Sequence, residues 1–217
     1  MKTQLAVLLC VTALARADLV IVQKVENGEQ SGEQTIRIKG QRVRVDLAQP
    51  VSVVTDGAGG IVSLMHAPKT FLRISAAQMN TTLEAMKKLS GAGVEATPKL
   101  TATGQKEKMG GYECEVFTAN LGSISVTYWF AKDFPNLQAV LAQMDQMQGR
   151  TFSLTGKAMM PGFKDFPGMP IKTVMDMDGK KVTTVLTSVR EEKVDPASFD
   201  IPKDYKDVSP PPLNLEK

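Results

Sequence analysis

Two neighbouring stretches constrain the fold more than any other feature: Thr35-Ile36-Arg37-Ile38-Lys39 and Arg42-Val43-Arg44-Val45-Asp46-Leu47. Both alternate apolar and polar residues around the Gly40-Gln41 pair. In a strand, successive side chains point to opposite faces, so this alternation buries one row and leaves the other polar. On a helix the same residues would scatter their apolar positions around the whole circumference. Two such runs separated by two residues read as an antiparallel hairpin.

The pattern extends in both directions. Leu19–Val25 is a continuous apolar, β-branched run, and Asn27-Gly28 is a hairpin signal. Downstream, Val51–Thr55, Ile61–Met65 and Thr70–Ile74 are separated by the run Asp56-Gly57-Ala58-Gly59-Gly60 and by Ala67-Pro68-Lys69. Parallel neighbours would need crossovers of about a dozen residues or more. The connections are too short for that, so the sequence predicts an antiparallel meander of six strands with one wet face.

Ser75 is placed to cap a helix carrying Met79, Leu83, Met86 and Leu89, which Gly91 ends. Strands then recur at Lys99–Lys108, Tyr112–Ala119 and Ser123–Phe130. A second amphipathic helix opens near Asp133 and Pro135, with Leu137, Val140, Leu141, Met144 and Met147 on one side. Residues 150–168 read as irregular, and Ile171–Met177 and Lys181–Arg190 as a closing hairpin around Asp178-Gly179. Eleven strands and two helices place the chain in the α+β class and exclude a doubly wound parallel sheet.

The N-terminus reads as an address. Lys2, the apolar run Leu5–Leu14 and Ala15-Arg16-Ala17 before Asp18 have the form of a secretory signal peptide cleaved between Ala17 and Asp18. Leu9 before Cys10 is too large for a lipoprotein cleavage site, and the run falls short of the roughly 20 residues that span a bilayer. The expected organisation is a signal peptide over 1–17, a single domain over 18–208 and a Pro-rich disordered tail over 209–217, in a periplasmic or secreted protein without an integral membrane segment. Cleavage would leave Cys114 as the lone cysteine and exclude an internal disulfide. Period-2 alternation sets Cys114 beside Tyr112 and Val116, so it is expected in the core, with Glu113 and Glu115 on the other face.

Chemistry is thinly represented. A formal charge of +3, from 26 basic and 23 acidic residues of interleaved sign, offers no basic stripe, and no nucleic-acid partner is expected. His66, the one histidine, stands beside Pro68 without another histidine or a cysteine nearby, and reads as a turn residue. Glu113 and Glu115 point the same way, as paired-carboxylate catalysis requires, but a solvated strand face explains them. Asp176-Met177-Asp178-Gly179 resembles the start of a calcium loop, yet Thr187 stands where the bidentate Glu would be needed. The glycines at 57, 59 and 60 lack the Lys-Ser/Thr of a phosphate loop. The sequon Asn80-Thr81-Thr82 falls within the first predicted helix.

Seven methionines lie between 144 and 177, with Phe152, Phe163 and Phe166 among them. Thioethers suit Cu(I), but the spacing is irregular and no histidine supports a site, so no metal and no cofactor are expected. Two readings remain open: ordinary core filling, or a flexible apolar cover over a groove for hydrophobic ligands. On the second reading Trp129, Leu141, Met144, Met159, Met160, Phe163 and Phe166 are the ligand-binding candidates.

Ile38-Lys39-Gly40-Gln41-Arg42-Val43-Arg44-Val45-Asp46, Gly111-Tyr112-Glu113-Cys114-Glu115, Val126–Asp133, Pro170-Ile171-Lys172-Thr173 and Asp195–Tyr205 together resemble a family of secreted bacterial proteins classed as a domain of unknown function. The match runs from about residue 36 to 206. That family is similar in layout to the periplasmic carriers of outer-membrane lipoproteins. The resemblance implies an antiparallel half-barrel of about eleven strands around two helices, with a concave face able to hold an acyl chain. The expected function is therefore a non-enzymatic envelope protein binding an apolar ligand such as an acyl chain or a lipoprotein. The alternative is a structural or protein-interaction module with a closed core, its protein partner unspecified.

Overall fold

The computed structural model describes residues 18–55, 60–79, 81, 98–121, 124–151 and 161–209. The expected signal peptide over 1–17, residues 56–59, Asn80, most of the first predicted helix, Phe152, Met159, Met160 and the residues beyond Ser209 lie outside the described residues.

The strands are β1 Leu19–Asn27, β2 Gln30–Lys39, β3 Arg42–Asp46, β4 Val51–Thr55, β5 Ile61–Met65, β6 Thr70–Ile74, β7 Thr101–Met109, β8 Tyr112–Leu121, β9 Ile124–Ala131, β10 Met169–Met177, β11 Lys180–Glu191 and β12 Lys206–Asp207. One helix, α1, spans Leu137–Thr151. All twelve strands join one sheet in the order β12-β6-β5-β4-β3-β2-β1-β11-β10-β9-β8-β7. The sheet is open, with β7 and β12 as its edges, and the outline is an α+β half-barrel. Every predicted strand is present. The expected count of eleven is corrected to twelve by β12, a two-residue strand parallel to β6 that only tertiary contact creates. No helix among the described residues is long and apolar enough to cross a membrane.

The helix boundaries follow local chemistry. Gln78 N–H donates to Ser75 Oγ, while the Gln78 side-chain oxygen accepts from the Ser75 N–H. This reciprocal capping box starts the helical turn at residues 76–79. On α1, Val140, Leu141 and Met144 are buried, on the face predicted from spacing.

Two cores result, one on each side of the sheet, and β1 belongs to both. Leu19 and Ile21 join Ile36, Ile38, Val43 and Val45 in a core that also holds Tyr128, Phe130, Phe166 and the α1 residues. Val20 and Val22 point the other way, to Val54, Val62, Leu64 and Phe71. A strand buried on both faces is a continuous apolar run rather than an alternating one, as Leu19–Val22 is. The second core corrects the expectation of one wet face. The arm that follows β11, through Val194 and Phe199, lies over it.

Candidate functional site

The described residues enclose a hollow of about 600 Å³ where three parts of the chain converge. Gly110 and Tyr112 come from the β7–β8 connection, Phe134, Asn136 and Val140 from the start of α1, and Ile171, Leu186, Val189 and Glu191 from β10 and β11. The volume falls within the roughly 300–1,000 Å³ of small-ligand sites.

Two irregularities in adjacent strands open it. Pro170 has no N–H to give the ladder, and pairing with β9 skips from Pro170 to Lys172, leaving Ile171 as the extra residue. On β11, Val22 pairs with Ser188 and Gln23 with Leu186, so Thr187 is the extra one. A bulge re-aims side chains that a regular strand would alternate. This is why four consecutive residues, Leu186 to Val189, all line the hollow. The β7–β8 turn also comes close: a Cβ on Gly110 would sit 3.3 Å from Ile171, and Gly110 has a φ of +57°.

The wall is mixed: Phe134, Val140, Ile171, Leu186 and Val189 make its apolar side, and Tyr112 and Phe134 stand against each other with ring centroids 5.4 Å apart. Its polar side is built by Asn136, Thr187, Ser188 and Glu191. Asn136 takes a left-handed φ of +52°, which its short amide side chain tolerates. Its carbonyl accepts from the Val140 N–H, opening α1, while its side-chain amide donates to Glu191 Oε1 at 3.3 Å.

A second hollow, about 760 Å³, lies beside the β1–β2 turn. Val25, Leu47, Ala48 and Pro50 line it together with Asn27, Gln30, Gln34 and Gln49, and no residue of α1 does.

Of the expected ligand-binding residues, the structure brings Leu141, Met144 and Phe166 together in the main core, with Phe163 packed on its margin. Phe166 stacks obliquely on Phe130, centroids 4.8 Å apart, and touches Tyr128 and Phe163. The protein's own rings fill that part of the concavity. The hollow lies beyond it, next to Val140 on α1. Trp129 also reaches the core's margin, but alternation turns it to the opposite face from Tyr128 and Phe130. There its indole N–H donates to Glu107, and the Lys172 ammonium lies 4.6 Å from its ring centroid.

Cys114 is fully buried, and burial pushes its thiol above the ordinary cysteine range, the reverse of what a reactive thiolate needs. Glu113 and Glu115 each face a lysine, Lys106 and Lys132, rather than a shared substrate position. Asp176 accepts from the Gly179 N–H at 2.8 Å, so the DMDG segment is a hairpin turn.

Sequence reasoning missed a polar cluster on the other face. His66 does sit in a turn, but Nε2 is 2.7 Å from Ser52 Oγ and Nδ1 is 2.6 Å from the Tyr205 hydroxyl. Ser52 Oγ donates to Asp46 and accepts from Arg44 at 3.0 Å. Ser52 has a single proton, already given to Asp46, so His66 donates through Nε2 and accepts from Tyr205 at Nδ1. In a hydrolytic triad the histidine takes the serine proton and the carboxylate holds the histidine. Here the carboxylate holds the serine, and Ser52 is 1% exposed. The cluster contains triad residue types in a structural order.

Residues 19–205 match the family model described as "Domain of unknown function (DUF4412)". No curated protein matches in sequence. Similar solved structures include PNGF-II, at 10% identity and a TM-score of 0.41, covering 89% of this chain and 32% of that one. The chain thus spans about a third of PNGF-II. Others are the lipoprotein LppX of Mycobacterium tuberculosis, at 12% identity and a TM-score of 0.40, covering 81% and 88% of the two chains, and the MucA/MucB complex of Pseudomonas aeruginosa, at 10% identity and 0.38, covering 88% and 57%.

Proposed function

The chain belongs to the DUF4412 family, and from that premise we propose that it is a non-enzymatic binding protein of the bacterial envelope, taking the tail of an apolar ligand such as an acyl chain into the hollow beside α1. The observation that carries this reading is the pair of bulges at Ile171 and Thr187, which turn neighbouring strand residues into one recess of about 600 Å³ with an apolar side of Phe134, Val140, Ile171, Leu186 and Val189. Burial there removes chain methylenes from water at about 0.8 kcal/mol each, without requiring a polar partner. Leu141, Met144, Phe163 and Phe166 form the packed floor behind Val140 in this reading, and Trp129 stands outside the recess. The signal peptide expected over residues 1–17 supports a periplasmic or secreted location.

A solvatochromic apolar probe tests the proposal. The purified protein should take up about one probe per chain. Replacing Val189 or Leu186 by Trp should fill the recess and abolish uptake while leaving the far-UV circular dichroism unchanged. Unaltered uptake in both variants would reject this location. A protein that takes up no probe at all supports the second reading, a closed-core interaction module. The ring packing around Phe166 favours that alternative.

A further inference from the structure

We infer that the recess selects its ligand by charge: it takes a single-chain amphiphile with a cationic head and discriminates against a carboxylate head. The inference rests on the proposed binding role and names the ligand class for that site.

Glu191 is the one acidic or basic side chain lining the recess among the described residues, and it is exposed at the mouth. The remaining polar lining is neutral: Tyr112, Asn136, Thr187 and Ser188. The N-terminus of α1 opens on the same space through Pro135, Asn136 and Val140, and contributes about half a positive charge. Asn136 couples the two, since its carbonyl starts the helix and its amide donates to Glu191. Among the groups that line the recess, a full negative charge therefore answers half a positive one, which leaves that lining net negative. No acidic residue lies in the first turn of α1 to share that role.

Three nearby basic side chains are engaged elsewhere. Lys132 pairs with Glu115 at 2.8 Å, Lys39 with Asp18 at 2.6 Å, and Arg190, on the residue before Glu191, with Glu192 at 3.2 Å. Lys193, two residues beyond Glu191, is exposed and does not line the recess either, so a fatty-acid carboxylate would meet no basic side chain in the lining among the described residues. An alkylammonium head would meet the Glu191 carboxylate with its tail against Val140, Ile171 and Leu186. The size of the recess suits one chain rather than a pair.

Competition for the bound probe by dodecylamine, dodecanol and dodecanoate, at neutral pH and low ionic strength, tests the inference. The amine should displace the probe at about tenfold lower concentration than the carboxylate, with the alcohol between them. Glu191→Gln should collapse the series to one value, and Asn136→Asp, which adds a carboxylate at the same mouth, should widen it. Added salt should narrow the spread in the wild type. Dodecanoate binding as tightly as dodecylamine would overturn the inference while leaving the apolar recess standing. Failure of all three to displace the probe would overturn the recess itself and the inference with it.

Discussion

The Tyr205 hydroxyl lies 2.6 Å from Nδ1 of His66, 139 residues earlier in the chain, and the two rings meet nearly edge-on at 75°. Through this contact the C-terminal arm closes over the second core. The arm is held elsewhere too: Arg44 donates to the Ser198 carbonyl at 2.7 Å, and the Lys206 N–H to the Lys69 carbonyl at 3.0 Å. Tyr205→Phe should cost about 0.5–1.5 kcal/mol, because it leaves a half-buried ring nitrogen without its donor. In denaturant titrations His66→Ala should then cost less in the Tyr205→Phe background than alone. Strict additivity of the two changes would show that the contact carries no energy.

Asp46 gives the same cluster a pH dependence. Burial alone would raise its carboxyl, but hydrogen bonds from Ser52 and Arg44 and the charges of Arg44 and Arg37 outweigh burial and hold it below the ordinary aspartate value. The unfolded chain therefore binds this proton more tightly than the folded one. The stability contributed by the carboxylate is complete above the unfolded pKa, about 4, and is lost as pH falls through the lower folded value. The Tm should hold steady down to about pH 5 and fall below about pH 4. Asp46→Asn should lower the plateau and reduce that fall. An unchanged acid limb in the variant would assign the loss to other groups.

How much of this was legible in the sequence differs between the two faces. The strands were legible because alternation and turn chemistry are local: Gly28, Gly40, Gly110 and Gly179 all take positive φ in the turns they announce. The Ser75 cap and the buried face of α1 were legible for the same reason, though not the reciprocal bond from Gln78. β12 was not, since a two-residue strand has no periodicity. The partners of His66 were not either, because Ser52 and Tyr205 reach it only once β4, β5 and the arm are in register. Nor were the bulges, apart from one local sign: Pro170, a residue without an N–H, in an otherwise regular strand. The rings at 163 and 166 carried an apolar signal that fits a cover and a core equally well, and only their packing on Phe130 and Tyr128 places them.

Tyr128 is 1% exposed, and its hydroxyl has no hydrogen-bond partner among the described residues. Burial pushes its pKa up to about 12. Tyr128→Phe keeps the stack on Phe130, at 5.3 Å between centroids, and removes an unsatisfied polar atom. It should leave stability unchanged or raise it by about 1 kcal/mol. A loss above that in urea titration would reveal a partner for the hydroxyl.

Gly168 is fixed by close approach rather than by its own turn. A Cβ there would stand 2.6 Å from the Ala131 carbonyl oxygen, a backbone atom of a residue paired to both Met169 and Cys114. Since that backbone is held from both sides, Gly168→Ala should cost at least about 1–3 kcal/mol by overpacking. The readout is the Tm by calorimetry. A neutral result would mean that the 166–168 connection shifts freely.

Phe166 separates the cover from the core. A residue that only roofed a groove could be truncated cheaply, and its loss would impair ligand uptake. Phe166 is instead 6% exposed, in contact with Phe130, Tyr128 and Phe163, and continuous with Met144 on α1. Truncation there leaves a cavity walled by rings that cannot collapse into it. Phe166→Ala should therefore cost about 3–5 kcal/mol. Phe163→Ala should cost less, because Phe163 packs only on the core's margin. The recess beside Val140 is lined by neither ring, so under conditions where the Phe163→Ala variant is folded, probe uptake should match wild type. Abolished uptake in a folded Phe163→Ala protein would move the binding site from the recess to the ring cluster and restore the cover reading.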